Sequence, residues 1–330
     1  MRPKGARLVS ALVALVLLPF VPGCARPPEA ERQLGGLRIM VPNRPGSGYD
    51  VTARTAAKAI SDARILRDVE VFNLPGADGT VGLQRLVYEK GNDKLLMLMG
   101  LGLVGAQYTH QTRATLQQTT PIARLIEEPD VVVVTRDSPY HSLRDLMTAW
   151  RRNPAAVSVG GGSLPGGPDF LAARLLAKAA GIPIRQTRYV RYDGGGALLA
   201  AVLGREVSFG VSGVAETYDQ IASGQLRVLA VTSEKRVSGI DAPTLRESGV
   251  NVVFTNWRGI VAPPDLPESQ VVLLREVVDR MHASGQWRAA LARNGWTDAY
   301  LAGDDFGRFL RDASDQIGGV LADLGIATSG

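Results

Sequence analysis

Glycine-rich loops that precede helices are the part of this sequence best suited to chemistry. The stretch Pro45-Gly46-Ser47-Gly48 stands between an alternating apolar run and a predicted helix. Glycine lets a ligand approach free backbone N–H groups, which together with the helix dipole favour an anion. Similar loops recur at residues 75–79, 100–102, 160–167 and 194–196. We therefore expect an anion-binding site where several loops converge, although one loop alone could be structural, with Asp50, Thr80 or Asp169 acting only as a helix N-cap.

Nucleotide binding and hydrolysis are not favoured by the residues of these loops. Val51 stands where a dinucleotide fingerprint needs its third glycine, and no glycine loop ends in the lysine of a phosphate-binding P-loop. Ser163 and Ser212 lack the flanking glycines of a Gly-x-Ser-x-Gly nucleophile elbow. We therefore predict no catalytic residue and no enzyme activity.

Metal and cofactor sites are likewise not expected. The chain has three histidines and one cysteine, and the histidines are scattered in polar contexts: His110, His141 and His282. Such an arrangement does not provide the clustered ligands of a zinc site. We predict no metal and no cofactor.

Strand and helix patterns alternate along the chain from residue 37 onward. Short apolar runs predict strands at residues 37–41, 69–74, 95–99, 131–135, 157–160, 207–211 and 227–231, and helical spacing follows most of them, as at 169–180. This alternation predicts an α/β protein with doubly wound parallel sheets. The region 268–324 is predicted to be mostly helical, and its aromatics Trp287, Trp296 and Phe306 are expected in the core.

The first 23 residues have the layout of a secretory signal peptide. A basic start precedes a short apolar core, and Val21-Pro22-Gly23-Cys24 resembles a bacterial lipobox, in which the cysteine is lipidated. We expect a lipoprotein signal at 1–23, then a lipidated Cys24 and a flexible tether over 24–35. Lipidation would anchor the protein on the outer face of the cell membrane. The alternative is an ordinary secreted protein with one unpaired thiol.

The net charge of the chain gives no indication of a nucleic-acid partner. The formal charge is +5. Without the three basic residues of the predicted signal peptide, the chain has 34 basic and 32 acidic side chains. No basic cluster with interleaved aromatics is present. We exclude nucleic acid as a partner.

Several motifs together resemble the substrate-binding receptors of tripartite tricarboxylate transporters, also called the Bug family. They include "VPNRPGSGYDVTAR", "NLPGADGTVG", "GGSLPGGPDFLAARLLAKAAGI", "YDGGGALLAAVLGREVSFG" and "WRGIVAPPDLPES", and the resemblance covers nearly the whole chain after residue 35. It implies a type II periplasmic-binding-protein fold, in which two α/β domains close like a Venus flytrap about a hinge. On this basis domain 1 comprises residues 36–127 and 255–330, and domain 2 comprises residues 128–254.

The resemblance also implies a function and a set of binding residues. The protein would be a monomer that captures a small di- or tricarboxylate and delivers it to a large and a small membrane subunit. The ligand-binding residues carried over by motif are Arg44, Pro45, Gly46, Ser47, Gly48, Tyr49, Asp50, Gly76, Ala77, Asp78, Gly79, Gly100, Leu101, Gly102, Gly162, Ser163, Tyr192, Gly194 and Ser212.

Two alternatives to uptake remain open from the sequence. A receptor of this kind could present its ligand to a signalling partner, and a membrane-tethered hydrolase could use the same architecture. Arg44 has two readings as well: its guanidinium could pair with a ligand carboxylate, or it could pair with Asp50 or Asp78 at the surface.

Overall fold

The computed structural model describes residues 34–110, 112–192 and 194–326. The predicted signal peptide, Cys24 and residues 25–33 of the predicted tether lie outside these ranges. Among the described residues, none of the helices combines the length and the apolar character needed to cross a membrane.

Strands and helices alternate through most of the described chain. The strands, β1 to β10, are Arg38–Val41, Glu70–Asn73, Leu95–Gly100, Thr120–Thr135, Ser158–Gly161, Arg188–Arg191, Phe209–Gly213, Leu226–Val231, Thr255–Ala262 and Thr297–Ala302. The helices, α1 to α10, are Gly48–Asp62, Thr80–Tyr88, Leu101–Thr109, Leu143–Arg152, Pro168–Ala179, Gly195–Leu203, Val214–Ala222, Glu268–Ala283, Gly285–Asn294 and Gly303–Leu324.

The long strand β4 joins two groups of strands. Its first part, up to Pro129, pairs with β9 and β10, and its second part, from Asp130, pairs with β7 and β8. The strand order is β2-β1-β3-β9-β4-β7-β5-β6. We call β1 to β3, β9, β10, the first part of β4 and helices α1 to α3 and α8 to α10 the first half. The second half comprises the rest of β4, β5 to β8 and helices α4 to α7.

Each half contains parallel strands flanked by antiparallel ones. β1 pairs in parallel with β2 and β3, and β5 pairs in parallel with β6 and β7. β9 runs antiparallel to both β3 and β4. Each half therefore contains the parallel strands predicted from the sequence. The chain passes from the first half to the second along β4 and comes back to the first half at β9, so these two neighbouring strands run in opposite directions.

Local capping explains where several helices begin. Ser47 precedes α1 and its hydroxyl accepts a hydrogen bond from the N–H of Asp50 at 3.3 Å. Ser142 and Asp145 form a reciprocal capping box at the start of α4. Pro168 occupies the first position of α5, where its missing N–H costs nothing. Of these helices, α1 and α5 begin just after the parallel strands β1 and β5.

Buried apolar side chains fill both halves. Trp287 and Phe306 are fully buried in the first half, as the sequence predicted, and Trp150 packs edge-on against Phe209 in the second half at 5.0 Å between ring centroids. The predicted helical region 268–324 is interrupted by β10, which pairs with β4. The residues of β10 alternate only weakly in polarity, so the sequence does not reveal this strand.

Candidate functional site

A cleft of about 580 Å³ lies between the two halves. Both halves contribute to it with N-terminal turns of helices: α1 from the first half, and α5 and α6 from the second. Of the residues that the sequence predicts for the site, those lining this cleft are Gly46, Ser47, Gly48, Tyr49, Gly102, Gly162, Ser163 and Gly194.

The loop before α1 is held in place by the carboxylate of Asp50. This carboxylate is buried and accepts hydrogen bonds from the N–H of Gly46 at 2.9 Å, from Nε of Arg54 and from Nδ2 of Asn73. Burial alone would raise the pKa of Asp50, but the bonds from Arg54, Gly46 and Asn73 outweigh it and lower the pKa. Asp50 therefore remains ionised and shapes the loop, without lining the cleft itself.

The guanidinium of Arg258, a residue of β9, lies next to the first turn of α1. Its Nη1 donates to the hydroxyl of Thr52 at 3.0 Å and its Nη2 donates to Glu128 at 2.5 Å, while its buried Nε has no hydrogen-bond partner among the described residues. A Cβ at Gly48 would lie 2.7 Å from Nη2, so glycine at this position is what allows the guanidinium to approach the helix. Trp296 lies on the other side, with its ring centroid 5.9 Å from the guanidinium carbon.

Tyr49 packs beneath the cleft against the start of α3. The N–H of Leu103 donates to its hydroxyl at 3.3 Å, and a Cβ at Gly100 would lie 3.1 Å from its ring and 2.5 Å from the backbone carbonyl oxygen of Trp257. Burial is the main cause that raises the pKa of Tyr49 to about 12. Gly100 and Gly102 thus accommodate an aromatic ring, which contributes rigidity under the site.

In the second half, protein carboxylates occupy the N-terminal turns. Asp169 of α5 accepts a hydrogen bond from the N–H of Gly162 at 2.6 Å, and Ser163 caps the N–H of Phe170 at 3.1 Å. The carboxylate of Glu216 lies directly over Gly195, because a Cβ there would come within 2.5 Å of its Oε2.

Two of the cleft carboxyl groups have raised pKa values. Burial, followed by the negative charges of Asp169, Glu216 and Glu128, raises the pKa of Asp130 well above its usual value. Burial and then the charge of Glu216 raise the pKa of Asp169 to about 7. The cleft is therefore a place where carboxyl groups are close enough to influence one another.

The other predicted site residues lie away from the cleft lining. Arg44 and Pro45 are exposed, and neither predicted ion pair of Arg44 forms, because Asp50 pairs with Arg54 and Asp78 pairs with His110 at 2.7 Å. Asp78 lines an adjoining cavity of about 170 Å³. The remaining predicted residues outside the cleft lining are Gly76, Ala77, Gly79, Gly100, Leu101, Tyr192 and Ser212.

Tyr192 and Ser212 make contacts within the second half. The hydroxyl of Tyr192 donates to Glu206 at 3.3 Å, and the buried hydroxyl of Ser212 donates to Glu216 at 2.7 Å. Ser212 thereby supports a carboxylate that does line the cleft.

Several polar and aromatic residues of the cleft were not assigned to the site from the sequence. These are Glu128, Asp130, Asp169, Glu216, Asn256, Arg258, Asn294 and Trp296. A charged residue beside an apolar run was a usable signal, since buried charges need partners: Asp130 directly precedes four valines, and Arg258 stands between Trp257 and the run that ends β9. Trp296 is buried, with a relative exposure of 8%, as expected of a core residue, and it also forms part of the cleft wall.

A metal centre is not indicated in the parts of the chain that the structure describes. Within residues 34–110, 112–192 and 194–326, no group of three or more histidine, cysteine, aspartate or glutamate side chains is arranged to hold a metal ion.

Comparison with known proteins identifies the family. Residues 52–326 match the tripartite tricarboxylate transporter family receptor, TctC. Protein BugT of Bordetella pertussis is 25% identical over 299 residues, which cover 88% of this chain and 89% of BugT.

Solved structures agree with this match. A TctC solute-binding protein from Polaromonas, without ligand, aligns with a TM-score of 0.76 and 26% identity over 87% of this chain and 98% of the other. Rpa4515 from R. palustris, with adipate, aligns with a TM-score of 0.72 and 22% identity over 88% and 97% of the two chains. The predicted resemblance and the two-domain periplasmic-binding-protein fold are thus confirmed. Membership implies an extracytoplasmic location. The chain belongs to the Bug family of tripartite tricarboxylate transporter receptors, and it is a solute-binding receptor rather than an enzyme.

Proposed function

We propose that this receptor captures a small organic acid in the cleft between its two halves and delivers it to the membrane subunits of a tripartite transporter. The main support for this proposal is that the guanidinium of Arg258 lies against the N-terminal turn of α1 in the wall of the cleft. A guanidinium beside free backbone N–H groups is suited to a carboxylate, because both supply hydrogen-bond donors and positive potential.

The contents of the cleft fit an organic acid better than a sugar or a nucleotide. A volume of about 580 Å³ suits a small molecule. Arg258 retains one unpaired buried donor, Nε, which a ligand oxygen can satisfy. The structurally similar protein Rpa4515 binds adipate, a dicarboxylate.

Binding is proposed to bring the two halves together about the strands that connect them. We propose domain 1 at residues 36–127 and 255–330 and domain 2 at residues 128–254. In support, β9 starts at Thr255, and β4 changes its pairing between Pro129 and Asp130, two residues after the proposed boundary. A ligand that contacts both halves binds more tightly when the halves are close together. Ligand binding therefore shifts the equilibrium toward that closed arrangement.

A thermal-shift panel tests this function. The chain from residue 25 to 330 is heated with mono-, di- and tricarboxylates and with amino acids, and sugars serve as controls. We expect at least one organic acid to raise the melting temperature, by mass action on the folded state, with a shift that grows with ligand concentration. A response to sugars alone, or no response to any acid, would contradict the proposal.

Membrane anchoring through Cys24 is the second part of the proposal. Cys24 lies outside the described residues, and the lipobox-like sequence before it is the basis for this part. In cells, Cys24→Ser is expected to move the receptor from the membrane fraction to the soluble exported fraction, because the anchoring lipid is attached to that thiol. Equal membrane retention of wild type and variant would contradict lipidation at Cys24.

A further inference from the structure

The cleft is lined by more carboxyl groups than cationic groups. The acidic residues that line it are Glu128, Asp130, Asp169 and Glu216. Among its described lining residues the only cation is Arg258, and Glu128 already pairs with that guanidinium at 2.5 Å. A second negative charge of a ligand would therefore lie against these carboxyl groups and favour their neutral, protonated forms, whereas a positive charge would favour their ionised forms.

Asp130 provides an independent sign that a hydrogen-bond partner is missing. Its side chain is buried, with 1% exposure, and its Oδ2 has no hydrogen-bond partner among the described residues. A buried carboxylate oxygen without a partner costs free energy. Because Asp130 lines the cleft at the point where β4 passes between the halves, a ligand in the cleft can supply that partner.

The two walls of the cleft differ in what they can bind. In the second half, Asp169 accepts the N–H of Gly162 and Glu216 covers Gly195, so the protein's own carboxylates occupy the places that an anion would use. In the first half, Arg258 lies against Gly48 at the start of α1. One wall therefore favours an anion and the other a cation.

We propose that the ligand is an organic acid that also bears a protonated amine. Its carboxylate binds Arg258 and the N-terminal turn of α1, and its ammonium group lies among Asp130, Asp169 and Glu216. This inference rests on the proposed function and names the ligand class for the same cleft.

The pH dependence of binding separates an amine-bearing acid from a plain one. The titratable and charged groups that line this region are Tyr49 of α1, Glu128 and Asp130 of β4, Asp169 of α5, Glu216 of α7 and Arg258 of β9, and Tyr189 of β6 interacts electrostatically with Asp169. Asp169 has a pKa of about 7 without ligand, so it is ionised at pH 8 and protonated at pH 5.5. An alkylammonium stays charged across this range. Affinity for an amine-bearing acid should therefore fall as the pH decreases, whereas affinity for a plain dicarboxylate should rise.

Calorimetric titration with matched ligands tests the proposal. The chain from residue 25 to 330 is titrated at pH 8 and pH 5.5 with three pairs that differ only by an amino group: aspartate and succinate, glutamate and glutarate, and γ-aminobutyrate and butyrate. For the pair of best-fitting length we expect at least tenfold tighter binding of the amine-bearing member at pH 8, and a clear loss of that preference at pH 5.5. Equal or tighter binding of the amine-free member at pH 8 overturns the inference and leaves the receptor function standing. No binding of any acid overturns both.

Two acid-to-amide variants connect the preference to these residues. Asp130→Asn is expected to reduce the preference for the amine-bearing member to within threefold, while binding of the amine-free member is maintained or tightened. Glu216→Gln, at an exposed position less critical for folding, should reduce the same preference. Glu206→Gln is the matched control, because Glu206 is an exposed acid of the second half outside the cleft lining. An unchanged preference in both Asp130→Asn and Glu216→Gln would contradict the placement of the ammonium group.

Discussion

Replacing Arg258 by glutamine is expected to weaken ligand binding by roughly 100-fold, which corresponds to about 3 kcal/mol. The change removes the cation of the cleft wall and leaves Glu128 without its partner at 2.5 Å. Both effects act on the bound state, because an uncompensated Glu128 repels the ligand carboxylate that Arg258 would hold. The measurement is the dissociation constant, by calorimetry, of the acid that gives the largest thermal shift.

The matched control for this variant is Arg236→Gln. Arg236 also pairs with a carboxylate, Glu247 at 2.9 Å, but both side chains are exposed and lie outside the cleft. An exposed pair contributes little, so this control should bind within twofold of wild type. If Arg258→Gln bound equally well while remaining folded by circular dichroism, Arg258 would not be the carboxylate partner.

Replacing Gly105 by alanine is expected to weaken binding by about tenfold or more through the contact between the two halves. Gly105 lies in α3 of the first half, and a Cβ there would overlap the backbone carbonyl of Gly166, in the loop before α5 of the second half. Backbone cannot rotate away as a side chain can, so the halves must separate, at a cost of about 1–3 kcal/mol. Calorimetry with the acid that gives the largest thermal shift measures the loss of affinity.

A glycine in another helix serves as the control for this variant. Gly319 of α10 has no atom within 4 Å of the position of an added Cβ. Gly319→Ala should therefore retain the affinity and stabilise the helix slightly, since alanine is the better helix former. Unchanged affinity in Gly105→Ala would mean that ligand binding does not require the contact between Gly105 and Gly166.

The architecture could largely be predicted from the sequence because its signals are local. The strand β3 reads "LLMLMG" and is buried throughout, and the helix predicted at 169–180 is α5, Pro168–Ala179. The antiparallel placement of β9 was not predictable in this way. The direction of β9 depends on which strands it pairs with when the chain comes back from the second half, and this pairing is a property of the tertiary structure.

Only the parts of the candidate site that are formed by glycine-loop backbone could be predicted from the sequence. Gly46, Gly48 and Gly162 belong to glycine loops that any reader of the sequence can find, and all three line the cleft. Arg258 is different, because it reaches Thr52, which lies 206 residues away along the chain. No local pattern links two such positions.

Side-chain roles inside the predicted loops were also set by distant partners. Tyr49 packs beneath the loop because Gly100 leaves room for its ring. Asp169, which could have been only a helix cap, becomes part of an acidic wall because Glu216 of another helix lies near enough to raise its pKa. Charge balance in the cleft is therefore a tertiary property, although each residue is visible in the sequence.

The most direct test of a carboxylate bound between the two halves is a crystal structure of the receptor with the acid that gives the largest thermal shift. We expect the ligand in the cleft, with a carboxylate oxygen at about 3 Å from the guanidinium of Arg258 and from a backbone N–H at the start of α1. Ligand density outside the cleft, or a ligand in the cleft whose carboxylate has no contact with Arg258 or α1, would contradict the account.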